Sequence, residues 1–80
     1  MVDTTRKTLA ELEVMKEAEL EAIIAAHPDN ADNERFVLGR LQIEGTFPEN
    51  VPRNEQKGLN WIKTAAGNGH MGALEFHTYW

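Results

Sequence analysis

The sequence contains neither cysteine nor serine among its 80 residues. Without cysteine it forms no disulfide and no thiolate metal site, and without serine it also lacks the other common catalytic nucleophile. It has no run of about 20 apolar residues that would cross a membrane, and it starts with charged rather than apolar residues. We therefore expect no membrane segment and no signal peptide, and a cytoplasmic location is the resulting prediction.

Basic residues are also scarce. Eight Lys and Arg residues stand against 13 Asp and Glu residues, which gives a formal net charge of −5. An acidic surface repels nucleic-acid phosphates and anionic lipid headgroups, so we expect no nucleic-acid partner and no membrane partner. A chain this short buries little core, and without disulfides its stability is expected to depend on a protein partner or on further chain.

Glycine and proline are missing from residues 4–26, which are rich in Ala, Glu, Leu and Lys. This composition predicts a leading helix over residues 4–27 that ends before Pro28, because a residue preceding proline disfavours helical geometry. Within it, Thr8 and Glu11 have the spacing of a capping box.

Apolar residues lie on two opposite sides of this predicted leading helix. One side contains Leu9, Leu12, Leu20, Ile23 and Ile24, and the other contains Val14, Met15, Ala18, Ala22 and Ala25. Either neighbouring elements cover both sides, or Val14 and Met15 are simply part-exposed. The sequence leaves both interpretations open.

A second helix is predicted after the turn that contains Pro28. Asp29 or Asn30 is expected to cap its start, and Gly45 suits a C-terminal end just after Glu44. The two prolines in residues 46–53 then predict a loop.

Two more helices complete the predicted fold. Asn54 is expected to cap the third, which residues 67–69 would end, and the fourth runs from about His70 through Trp80. The connections are short and no strand-like alternation occurs. The sequence therefore predicts an all-α fold of about four helices arranged as antiparallel hairpins.

Residues 34–70 contain an ordered series of small, aromatic and proline residues. In chain order the series is Leu38-Gly39, Gly45, Val51-Pro52, Lys57, Leu59, Trp61, Ala65-Ala66 and Gly69-His70. This stretch resembles the Sel-one-like repeat family, which is related to the tetratricopeptide repeats. The resemblance implies an α-solenoid fragment with one repeat at residues 30–69 and a truncated or degenerate repeat at residues 70–80. It also implies that Gly39 lets the two helices of the repeat approach closely.

Several residues depart from the family pattern. Gln42 stands where tyrosine is usual, and Glu34 replaces a small residue. Gly58 replaces an alanine inside the second helix of the repeat, at an expected cost of about 0.5–1 kcal/mol in helix propensity. The loop after Gly45 is about three residues longer than usual.

The resemblance also implies a function, because such arrays bind partner proteins or peptides on the face formed by their first helices. By position, the residues expected on this face are Asn33, Arg35, Arg40, Ile43 and Glu44. Its two arginines would suit an acidic partner segment. The expected function is thus a non-catalytic interaction scaffold or adaptor.

An alternative expectation is a structural one. The chain would then cap a larger assembly or self-associate within it. Phe76, Tyr79 and Trp80 would form an apolar contact between copies, and the product would be a homo-oligomer.

No cofactor, metal site or catalytic site is expected. Residues 67–72 match a dinucleotide-binding glycine pattern, but a predicted helix rather than a strand precedes them. His70 and His77 lie seven residues apart without a third clear ligand, so turn or core roles are expected for them. The acidic residues of the leading helix are spread around it, which indicates a solvated face rather than paired catalytic carboxylates.

Overall fold

The computed structural model describes residues 8–79 and contains, within them, five helices and no strand. The helices are α1 (Leu9–Leu12), α2 (Glu17–Ala26), α3 (Asp32–Glu44), α4 (Glu55–Gly67) and α5 (Met71–Tyr79). The predicted all-α class is therefore confirmed. Helix α3 lies at the centre, because α1, α2 and α4 all pack against it, while α5 packs against α4.

The ends of the later helices follow the local signals in the sequence. Gly45 terminates α3 in the left-handed conformation, with φ of 66°, and its N–H donates to the carbonyl of Leu41 at 2.8 Å. The Oδ1 atom of Asn54 accepts from the N–H of Lys57 at 3.2 Å and so caps α4 as predicted. Helix α5 begins just after His70, as expected.

The start of α3 differs from the prediction. Its N-cap is Ala31, and neither Asp29 nor Asn30 supplies the expected side-chain cap. The turn is held instead by Arg35, whose Nη2 donates to the carbonyl of Pro28 at 2.6 Å. A side chain from within the helix thus stabilises the connection between α2 and α3.

The predicted single leading helix is wrong within the described residues, because it is interrupted over residues 13–16. The Thr8–Glu11 capping box forms, with Thr8 N to Glu11 Oε1 at 3.0 Å, but α1 then ends at Leu12. Asn50 occupies the interruption: its Nδ2 donates to the carbonyl of Val14 at 3.3 Å, and its own carbonyl accepts from the N–H of Glu17 at 2.9 Å. Residues 4–7 of the predicted helix lie outside the described residues.

The second apolar side of the leading segment faces solvent. Val14 is 61% exposed, and Ala18, Ala22 and Ala25 are also exposed. Met15 is partly buried against the core. Of the two interpretations left open by the sequence, the part-exposed one agrees with the structure, since no described element covers this side.

Helices α3 and α4 cross at a pair of glycines. A Cβ atom built on Gly39 would lie 2.7 Å from the carbonyl oxygen of Gly58, and one built on Gly58 would lie 2.5 Å from the carbonyl oxygen of Gly39. The close approach implied for Gly39 is therefore present. Gly58, which departs from the family pattern, makes the same approach possible from the other side.

The core surrounds α3, in which nine of the thirteen residues are buried. Its buried apolar members are Leu12, Leu20, Ile24, Ala31, Phe36, Val37, Leu38, Leu41, Ile43, Val51, Ile62, Ala65 and Ala73. Gln42 is fully buried among them, and its Nε2 donates to Oε1 of Glu17 at 3.2 Å. This amide ties α3 to the start of α2.

Candidate protein-binding surface

Helix α3 leaves only a narrow stripe open to solvent. Asn33 and Glu44 are exposed and Arg40 is half-exposed, and these residues lie seven and four positions apart. At about 100° per residue this spacing places all three on one side of the helix. The structure thus brings together three of the five residues expected on the partner-binding face.

Arg40 is the most highly connected side chain of this stripe. Its Nη2 contacts Oε1 of Glu13, and its Nε lies 3.9 Å from Oε1 of Glu44. Its guanidinium carbon also lies 5.4 Å from the ring centre of Phe36, within the range of a cation–π interaction. Two carboxylates therefore surround one guanidinium, and this part of the surface is net acidic.

Phe36 joins the stripe to α5 through aromatic contacts. The His70 ring is stacked on it at a centroid distance of 5.0 Å, and the Phe76 ring meets it edge-on at 6.4 Å. Both geometries suit the charge distribution of aromatic rings. Gly72 allows this approach, since a Cβ there would lie 3.3 Å from two atoms of the Phe36 ring.

His70 connects α3 to the start of α5 through both ring nitrogens. Nδ1 accepts from the N–H of Ala73 at 3.0 Å, and Nε2 lies 2.6 Å from Oδ1 of Asn33. Because Nδ1 acts as an acceptor, the neutral ring carries its proton on Nε2, which then donates to Asn33. His70 therefore caps α5 and links it to α3 by a hydrogen bond, which agrees with the turn role expected for it.

We call the resulting patch the α3–α5 surface. It consists of residues around the buried ring of Phe36, namely Glu13, Asn33, Arg40, Glu44, His70 and Phe76. Sequence reasoning missed three of these residues. Phe36 was not singled out, His70 was visible only as part of the repeat pattern, and Glu13 reaches Arg40 where the leading helix is interrupted.

Two residues expected on the partner face do not reach it. Ile43 is 1% exposed and packs in the core, and Arg35 is 8% exposed. The Nη1 of Arg35 pairs with Oδ1 of Asp32 at 3.0 Å, and its Nη2 donates to the carbonyl of Pro28. The Arg35 guanidinium is therefore already paired within the chain. Their predicted role in contacting a partner is corrected on this ground.

The structure describes the side chain of only one of the three residues expected to mediate self-association. Phe76 packs against the core and against Phe36, so it is partly buried rather than free. The side chain of Tyr79 and the whole of Trp80 lie outside the described residues.

One shallow depression of about 210 Å³ lies elsewhere, on the outer side of α4. Lys57, Asn60, Trp61 and Thr64 line it. Lys57 is engaged there by Glu17, with Nζ 3.4 Å from Oε1. The volume is below the roughly 300 Å³ at which small-molecule pockets usually begin.

Metal and membrane sites can be assessed for the same described residues. Within residues 8–79, no group of three or more His, Asp or Glu side chains is arranged to hold a metal ion. Every helix in this part of the chain is too short or too polar to span a bilayer.

Comparisons of the chain with protein-family models, with curated protein sequences and with solved structures find no match.

Proposed function

We propose that this chain is a non-catalytic, Sel-one-like helical repeat module that binds a partner protein or peptide on the α3–α5 surface. The support for the repeat architecture is the pair of helices α3 and α4, which cross closely at Gly39 and Gly58. A chain without cysteine or serine is also better suited to binding than to nucleophilic catalysis.

One observation carries the proposal. Arg40 and its two carboxylate partners lie at the surface. Arg40 and the partly exposed rings of His70 and Phe76 all contact the ring of Phe36, which is itself buried. Aromatic residues are enriched at the energetic centres of protein interfaces. The ring contacts with His70 and Phe76 also hold Phe36 and its neighbours in place before any partner arrives, which lowers the ordering cost of binding.

The charges favour a basic partner segment over the acidic one expected from the arginines. Arg35 is buried and paired, and Arg40 is opposed by both Glu13 and Glu44. An incoming carboxylate would meet two carboxylates already present, whereas a lysine or arginine would gain from them. The net charge of −5 on the chain acts in the same direction.

The test is affinity capture of partner proteins by immobilised wild-type and variant chains, followed by binding titrations at two salt concentrations. Glu44→Gln should weaken capture and Arg40→Gln should strengthen it, because these changes respectively remove a negative and a positive charge. Glu49→Gln, an exposed acid in the loop after α3, is the matched control and should leave capture unchanged. Opposite signs for the first two variants would show an acidic partner, and no effect from either would reject the surface. Melting temperatures of all three variants should stay close to that of the wild type.

A further inference from the structure

One dipeptide in the sequence combines the two residue types that favour a spontaneous chemical change. Asn68-Gly69 is the only place in the chain where glycine follows asparagine. Asparagine is thermolabile, because the backbone nitrogen of the next residue attacks its side-chain amide. A glycine at that next position has no side chain to hinder the attack and leaves the backbone free to turn. Both residues are exposed, and they lie in the turn between α4 and α5, which we call the α4–α5 turn (residues 68–70).

The folded backbone keeps this dipeptide away from the reactive geometry. Ring closure requires the Gly69 nitrogen to eclipse Cβ of Asn68, whereas the ψ of 2° at Asn68 makes it eclipse the backbone nitrogen of Asn68. The N–H of Gly69 is also engaged, because it donates to the carbonyl of Ala66 at 3.0 Å. The α4–α5 turn must therefore open before the reaction starts.

The side-chain amide of Asn68 is held by the start of α3. Its Nδ2 donates to Oδ1 of Asp32, the first residue of α3, at 3.0 Å. The same Oδ1 accepts from Nη1 of Arg35 at 3.0 Å. At the other end of the turn, Nε2 of His70 lies 2.6 Å from Oδ1 of Asn33. Two neighbouring residues of α3 thus hold both ends of the α4–α5 turn.

We propose that Asn68 is a modification site, which deamidates when the α4–α5 turn opens and then no longer attaches that turn to α3. The Gly69 nitrogen attacks Cγ of Asn68, and the new N–Cγ bond closes a succinimide ring. The Cγ–Nδ2 bond breaks, and Nδ2 leaves as ammonia with the proton that the Gly69 nitrogen gives up. Water then opens the ring at either of its two carbonyls, which yields aspartate or isoaspartate at position 68. Openings of this kind are ordinary local fluctuations of a folded chain, and water is the only reactant added.

The product fits the turn less well than Asn68 does. Aspartate at position 68 has no side-chain N–H to donate, so two carboxylates would face each other where Asn68 now binds Asp32. The new charge would also lie at the C-terminal end of α4, where the helix dipole disfavours it. Arg35 already pairs with Asp32 and offsets only part of the repulsion. Isoaspartate lengthens the main chain within the turn, which moves the backbone N–H groups of Gly69 and His70 away from their acceptors in α4.

Deamidation at Asn68 does not depend on the proposed function. It is irreversible, so a chain that has opened and reacted closes again with a weaker turn. The turn carries His70, and modification would therefore loosen one member of the α3–α5 surface whether or not a partner binds there.

The first experiment follows the reaction in the full chain. The protein is incubated at mildly alkaline pH, either folded or in enough urea to unfold it, and peptide mapping by mass spectrometry locates each amide that becomes an acid. In urea, Asn68 should convert faster than every other asparagine and give both aspartate and isoaspartate. Its rate in the folded chain should be lower by roughly tenfold or more, because the turn must first open. Asn60 is exposed and is followed by Trp61, so it is the internal control and should remain an amide over the same period. Equal rates in the folded and unfolded chain, or no conversion of Asn68 in urea, would overturn the proposal.

The second experiment measures what the modification does to the fold. Asn68→Asp should lower the melting temperature measured by circular dichroism. Asn60→Asp adds the same charge to the same helix and is the matched control, which should not lower it. Asp32→Asn removes the opposing charge but keeps an Oδ1 acceptor, so Asn68→Asp should cost less in that background than in the wild type. An Asn68→Asp variant as stable as the wild type, or one equally destabilised in both backgrounds, would contradict the proposal.

Discussion

Replacing Gly58 by alanine tests whether the crossing of α3 and α4 determines the stability of the fold. Helix propensity alone predicts that Gly58→Ala stabilises the protein by about 1 kcal/mol, because glycine is the weaker helix former in a helix interior. The structure predicts the opposite sign. The new Cβ would lie 2.5 Å from the backbone carbonyl oxygen of Gly39 and 2.7 Å from Cγ1 of Ile43, both closer than real Cβ contacts.

The size of the effect follows from what has to move. A backbone carbonyl cannot rotate away as the end of a flexible side chain can, so α4 must shift away from α3 and loosen the packing of Ile43 and Ile62. Overpacking of this kind costs typically about 1–3 kcal/mol. After subtracting the propensity gain of about 1 kcal/mol, we expect a net loss of up to about 2 kcal/mol. A chain of this length is stabilised by only about 4–12 kcal/mol in total, so the loss is large enough to measure.

Gly67 supplies the matched control within the same helix. A Cβ at Gly67 meets nothing within 4 Å, and its φ is not positive, so Gly67→Ala should raise stability by about 0.4–1 kcal/mol. Urea denaturation followed by circular dichroism measures both variants, and their free energies of unfolding should change in opposite directions. If Gly58→Ala were as stable as Gly67→Ala, the close glycine crossing would not be a feature of the folded protein.

Three further substitutions test individual contacts. His70→Ala should lower the free energy of unfolding by about 1–2 kcal/mol through loss of the α5 cap and of the stacking on Phe36. His70→Asn retains a capping side chain and should recover part of this loss. Equal free energies of unfolding for the two variants would exclude the cap. Gln42→Met should change the free energy of unfolding by less than about 1 kcal/mol. The buried Oε1 of Gln42 has no hydrogen-bond partner to lose, and Glu17 keeps its ion pair with Lys57 at 3.4 Å. A loss above about 2 kcal/mol in a denaturant titration would contradict this prediction. Asn50→Ala should cost about 0.5–1.5 kcal/mol, and hydrogen exchange should locate the change at Val14–Glu17 rather than in α4.

The later helices could be predicted from the sequence because their ends are encoded locally. Asn54 caps α4 and Gly45 ends α3 through hydrogen bonds that span three or four residues, so the signal and its effect are neighbours in the chain. Asn33, Arg40 and Glu44 were expected on the partner face from their positions in the repeat pattern, and their spacing places all three on one side of α3.

Other features depend on packing that a single sequence does not reveal. Helix α3 packs against α1, α2 and α4 and contacts α5 through Phe36, so its exposed stripe is narrow and Ile43 falls into the core. Arg35 was expected on the partner-binding face from its position in the repeat pattern, but the carbonyl of Pro28 and the carboxylate of Asp32 bind it in a nearly buried position. Gly58 looks unfavourable by propensity, and its purpose becomes visible only next to Gly39.

The long loop after α3 and the interrupted leading helix are two parts of one feature. Residues 13–16 contain no strong helix breaker, and intrinsic propensity differences of at most about 0.7 kcal/mol per residue do not explain an interruption there. The loop supplies the missing cause. In the loop, the N–H of Asn50 donates to the Phe47 carbonyl at 3.0 Å and Val51 is fully buried, which fixes the position of Asn50. Asn50 then provides hydrogen-bond partners for Val14 O and Glu17 N, two backbone groups that the interruption leaves without a helical hydrogen bond. Asn50→Ala removes the side-chain donor to Val14 O but keeps the backbone carbonyl that accepts from Glu17 N–H. If the Asn50 side chain holds the interruption in place, amide exchange over residues 13–17 should become faster in this variant, whereas an interruption encoded in residues 13–16 themselves would leave it unchanged.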